Sequence, residues 1–183
     1  MNELSAHNFG LLISYLLPGF AYLTGLAQHS FVTDNWMWSP VGSAPTVGGF
    51  LYATLASVGV GLLLSTLRWL LLDGLHHRTG VRRPRLDFGG LENCVTAYSL
   101  ITDHHYSYYK FYGNSLVAVI TLSVTEFARR SISPTRLIFL LMLMPVLFLG
   151  SRDTLKKYYA RAHQLLEAQA NPISVKKSDN ETS

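Results

Sequence analysis

The side chains best suited to chemistry are two runs of histidines, His76-His77 and Asp103-His104-His105. Neutral imidazoles beside a carboxylate suit zinc or another divalent ion, and Glu92 and Cys94 lie near the second run in sequence. Neighbouring residues on a helix point about 100° apart, however, and adjacent histidines do not easily face one ion. No HExxH spacing places two ligands one turn apart. The expectation is no metal and no other cofactor, with His76, His77, Asp103, His104 and His105 as polar tips at a membrane surface. A metal-dependent membrane enzyme using these five residues is the last of three functional readings.

Other catalytic constellations are missing. The chain has no Gly-x-Ser-x-Gly, no Walker loop and no paired carboxylates in its apolar runs. Gly113-Asn114-Ser115 offers a hydroxyl without an identifiable base, and reads as a flexible joint. Cys94 is the only cysteine, which excludes an internal disulfide, a thiolate cluster and a dithiol relay. No Asp, Glu, Lys, Arg or His falls in 9–27, 47–67 or 137–150. Glu126 lies inside the third run, near its outer end, and is expected to pair with Arg129 or Arg130 one turn on. A proton-coupled exchanger with a carboxylate at mid-membrane is therefore disfavoured.

The elements that must position these groups are apolar runs. Charged residues make up 14% of the 183, against roughly 25% in an average soluble domain. The stretch 9–27 is uncharged, and its 19 residues reach about 28 Å as a helix, close to a bilayer's hydrocarbon thickness. Pro18-Gly19 at its middle should kink or open it. A second apolar run covers 47–67, where Ala53, Ser57 and Gly61 form a small-residue face of the kind that lets helix backbones approach. From Leu91 to Tyr112, apolar and aromatic residues recur in steps of three and four, so one helical path leads through a tyrosine belt into a third run, 109–128. The fourth, 136–152, contains Pro145 and continues into an amphipathic helix, 151–170.

These features predict an all-α integral membrane protein: one helical membrane domain, 1–170, with spans at 9–27, 47–67, 109–128 and 136–152. A cytoplasmic connection, 68–108, and the amphipathic C-terminal helix build a helical layer on one side. Residues 171–183 read as a disordered tail. Of the 15 Lys and Arg residues, only Arg129, Arg130 and Arg136 fall on the other side, so the positive-inside rule puts both termini in the cytoplasm of a plasma-type membrane. Arg78, Arg82, Arg83, Arg85, Arg152, Lys156 and Lys157 are expected among anionic lipid headgroups, which explains the pI near 9.3 without nucleic acid.

Two stripes suit protein contact. Tyr98, Tyr109 and Tyr112 share a helical face with Val95 and His105. Leu155, Tyr158, Tyr159, Ala162, Leu165 and Leu166 form the second. The functional expectation is a non-enzymatic component, pore-like or scaffolding, that forms a homo-oligomer or recruits a membrane or cytoplasmic protein. The alternative is a small-solute transporter with its pathway at the Pro18-Gly19 and Pro145 breaks.

Overall fold

The computed structural model describes residues 10, 12–28, 30, 33–34, 47–86, 88–89, 91–128 and 133–170. Arg129, Arg130 and the tail 171–183 lie outside these residues. The described chain is all helical, with no strand. Helix α1 is a π turn, Leu12–Leu16, continued by an α-helix, Leu17–Ala27. Helix α2 runs through Val47–Arg68, a π turn at Trp69–Asp73, and Gly74–Arg78. Helix α3 joins Val95–Ile101, a π turn at Thr102–Tyr106, and Ser107–Ala128. Helix α4 is Pro134–Ala170.

The close approach of α1 and α2 rests on glycine. A Cβ on Gly19 would sit 1.8 Å from the Ser57 carbonyl oxygen, and one on Gly61 would sit 2.1 Å from that of Tyr15. The small-residue face of α2 is thus where α1 crosses it, backbone against backbone. Pro18 directly follows the π segment, which widens the coil just before the residue that lacks an N–H. The expected opening at Pro18-Gly19 is a change of helix pitch, closed by α2.

Helix α3 is central and touches the other three. Leu116, Val117 and Ala118 on it pack with Leu64, Leu72 and Leu147 as one core. A second core, Val81 with Tyr109 and Leu155, lies further along α3 and α4. Gly113-Asn114 is not a joint: both residues are buried inside the unbroken helix, with the aliphatic stem of Arg68 packed on Gly113. Nor does Pro145 interrupt α4, whose 37 residues span about 55 Å. Its ring is exposed on the outer surface. The fourth apolar run and the amphipathic helix are therefore one rod.

Among the described residues two helices are long and apolar enough to cross a membrane, at Gly48–Arg78 and Pro134–Ala168. The described part of the first apolar helix, Leu12–Ala27, is shorter. Helix α3 carries Asn114, Glu126 and the Ser and Thr residues of 115–125 along its apolar run. A helix enclosed by three others can carry such groups because its neighbours, not the surroundings, meet them.

Replacing Gly61 with Ala should cost at least 1–3 kcal/mol, roughly the scale of overpacking, since backbone must move. Gly59 has nothing near its Cβ position, so Gly59→Ala should be neutral or stabilising by about 0.5–1 kcal/mol. Thermal unfolding of the two variants in detergent checks the contrast.

Candidate functional site

The three π turns are the starting point, because π geometry is rare and concentrates at functional places. The first two meet residues 107–114 of α3, and the third leads directly into that stretch. Ser14, from the first turn, donates its hydroxyl to the Ser107 carbonyl at 3.0 Å. The Ser14 carbonyl in turn accepts from Asn114 Nδ2 at 2.7 Å. Asp73, from the second turn, accepts from Arg68 Nη1 at 3.0 Å and from the Tyr109 hydroxyl. His105 belongs to the third turn and is buried.

Arg68 has only 4% of its surface exposed. Its guanidinium lies over the Tyr109 ring at 4.6 Å, and its carboxylate partner holds the same tyrosine's hydroxyl. One aromatic side chain thus meets both members of the ion pair. Beside it His76, fully buried, shares a 3.0 Å hydrogen bond from Nε2 to Ser151 Oγ, and its ring stacks obliquely on Phe148 at 5.1 Å. Four side chains left polar atoms without partners here: Arg68 Nε, His76 Nδ1, Asn114 Oδ1 and, nearby, Arg152 Nε. The segment after α2 is tied to the cluster by backbone. Val81 N–H donates to the His76 carbonyl at 3.0 Å, and Arg152 donates to the Thr79 carbonyl at 2.7 Å.

The Ser151–His76 distance is that of a nucleophile and its base. Both residues are fully enclosed, and Asp73 is engaged by Arg68 and Tyr109 instead of orienting the imidazole. The arrangement acts as a polar pin joining α2, α3 and α4.

The histidine runs come apart. His76 turns inward to Ser151, and His77 turns outward, its ring 6.5 Å from that of Tyr159. His104 is exposed, beside an apolar pocket formed with Ile13, Leu100, Asp103, Ser107 and Tyr108. Among the described residues no three His, Cys, Asp or Glu side chains are grouped to hold one ion. Glu126, 1% exposed, pairs with Arg136 on α4 at 2.8 Å, and Arg136 also donates to Gln28. The expected partners Arg129 and Arg130 lie outside the described residues.

The two contact stripes meet each other. Tyr98 and Tyr158 share a hydroxyl hydrogen bond of 3.0 Å, and Tyr106 lies against Tyr158 at 5.1 Å. Tyr109, Leu155, Ala162 and Leu166 are buried, Tyr112 covers Gly150, and Tyr159 and Leu165 are half-buried. Burial, then the bond to Tyr98, pushes the Tyr158 hydroxyl up to about 12. Val95, by contrast, is exposed. Of the basic residues, Arg78, Arg82, Arg83, Arg85, Lys156 and Lys157 are exposed and Arg152 is half-buried. Lys157 is engaged by Asp153 at 2.6 Å.

The sequence placed His76 among polar tips at a membrane surface and assigned no role to Asp73, Ser14 or Ser151. The signal available was Asp73 itself, the only carboxylate in 47–86. No family model, no curated protein and no solved structure matches the chain.

Asp73→Ala leaves Arg68 buried without its carboxylate, and should cost about 3 kcal/mol, the low end of the range for broken buried pairs, because Asp73 keeps 24% side-chain exposure. Arg68→Met combined with Asp73→Leu should cost less than Asp73→Ala alone; unfolding curves of both in detergent decide it. His105 titrates below its ordinary 6.5, first through burial and then through Arg161, His104 and Lys157, with Asp153 opposing. The folded chain holds it neutral while the unfolded chain protonates it, so its contribution is full above about pH 6.5 and is lost as pH falls toward the folded value. The melting temperature should fall below about pH 6.5, and His105→Gln should flatten that fall.

Proposed function

We propose that the chain is a four-span integral membrane scaffold that holds a helical layer at the cytoplasmic surface and works as an oligomer or with a protein partner. The observation that carries the membrane reading is an inside-out distribution of polarity. Only 17% of the apolar window of α2 and 11% of that of α4 is buried within the chain. A soluble core helix of that composition would be covered. Phe50, Leu55, Leu63, Leu70, Phe139 and Met142 all face outward, while Ser14, Ser57, Arg68, Asn114, Glu126 and Ser151 face inward. Apolar-out and polar-in is the economy of a bilayer, where lipid meets the apolar faces and polar groups must find partners inside.

In this reading α1 and α3 complete the four spans, α3 in the middle, with Val124 and Phe127 of its outer half facing lipid. Both termini are cytoplasmic, by the bias of Lys and Arg. Helix α4 is about 55 Å long, well beyond a hydrocarbon core of about 30 Å, so its C-terminal half stands clear of the membrane. The residues from 91 to 106 pack on that half, and the Arg68–Asp73–Tyr109 and His76–Ser151 contacts fix the layer to the spans. A rigid platform joined to a membrane anchor supports a scaffold. The interior at Gly113 and Asn114 is filled by side chains, so a pore would have to form between copies.

Native mass of the protein in mild detergent tests the function. A closed multimer or a complex with a second chain is expected, and a monomer with nothing bound would overturn the scaffold. Topology has its own test. In a Cys94→Ser background, Ser133→Cys should react with an impermeant maleimide in intact cells, and Arg85→Cys only after lysis. The reverse pattern would invert the orientation, and extraction without detergent would remove the membrane reading.

A further inference from the structure

Beyond the helical layer itself, one cationic groove is shaped by the fold. It lies between the segment 80–84 and the outer half of α4, with a volume of about 550 Å³, and is open on one side. Gly80 begins it with φ of +95°, a backbone turn that L side chains rarely adopt. Val81 then drops into the core with Tyr109 and Leu155, and its N–H is held by the His76 carbonyl. With Val81 fixed inward, Arg82 and Arg83 are exposed on either side of the chain direction, and Pro84 stiffens the exit. The opposite wall is α4, with Lys156 near the core end and Tyr159 between the walls.

The charge along the groove is graded. Arg82 and Lys156 line its inner end, and no carboxylate among the described residues pairs with either or with Arg83. Arg83, next in the chain, is exposed outside this lining. Glu167 stands at the outer end, eleven residues or about 16 Å along the helix from Lys156, and is bonded to His163 at 3.1 Å. Neighbouring basic residues are already engaged: Lys157 by Asp153, and Arg152 by the Thr79 carbonyl. Unpaired cations therefore gather at one end of a preformed groove.

We propose that the inner end of this groove binds a phosphate group through Arg82 and Lys156, carried by an anionic lipid headgroup or free in solution. Arginine matches a phosphate's oxygens with two parallel donors, and lysine adds a point charge. The lipid source rests on the membrane reading, under which Lys156 stands about 6 Å beyond the end of span 136–152, at headgroup depth. The free source does not.

The test uses the full chain and Arg82→Gln/Lys156→Gln, with Lys157→Gln as the control for loss of an engaged cation. In one arm, proteins in nanodiscs of phosphatidylcholine with phosphatidylglycerol are released for native mass spectrometry, and retained lipids are counted. In the other, inorganic phosphate is titrated against thermal unfolding in uncharged detergent, with chloride at equal ionic strength. Phosphatidylglycerol enriched on wild type, with enrichment reduced about 25-fold in the double variant and held in the control, assigns a lipid phosphate, at roughly fivefold per cation. A phosphate-specific rise in melting temperature, absent from the double variant, assigns the free anion even if lipid enrichment is nil. Neither effect, or equal effects in wild type and double variant, overturns the site. Release of the chain without detergent would end the membrane reading, and the phosphate titration would then be run in buffer alone.

Discussion

A guanidinium placed inside a helical bundle must have its charge answered there, because the cost of leaving it unpaired is several kcal/mol. Arg68 sets that condition on α2. Its answer, Asp73, is on the same helix, five residues later. In an ordinary α-helix those positions diverge by about 140°; a π turn widens the coil and brings residues five apart onto one side. The π turn at Trp69–Asp73 is therefore the backbone adjustment that completes the ion pair. Tyr109 is held in place by both partners, and through it α3 is joined to α2.

From that junction the rest of the architecture can be followed. Gly113, one turn beyond Tyr109, leaves room for the stem of Arg68, and Asn114 beside it reaches the backbone of α1. On the next face of α2, His76 meets Ser151 and so fixes the point where α4 passes the bundle. The carbonyl of His76 then holds Val81, which shapes the segment that follows. A small set of polar contacts thus orders elements whose outer faces are apolar and would otherwise be free to slide. Dispersion alone has little directional preference, whereas hydrogen bonds inside a poorly solvated interior admit few alternatives.

The same logic explains the fate of the aromatic stripes. Tyr98 and Tyr158 were suited by spacing to any helix, and the chain supplies that helix itself. What remains available to a partner is the rim: Val95, the exposed arginines and the outer half of α4. In the proposed membrane setting the rim lies over headgroups, so lipid and protein partners would compete for adjoining surfaces.

Sequence by itself determined the helical class, the helical path from 95 into the third run, and the small-residue face at Ser57 and Gly61. Each follows from a local period or from side-chain size, which neighbouring residues alone decide. Tertiary structure alone decided which polar residues meet. Ser151 and His76 are 75 residues apart and Asn114 and Ser14 are 100 apart, so no window of sequence contains either pair. It also decided that Gly113-Asn114 is a packing site and that Glu126 takes Arg136, since helix contact and chain reversal, not spacing, bring those groups together. The Arg68–Asp73 pair lay within one short window and was still hidden, because its geometry belongs to a π turn that the α period does not reveal.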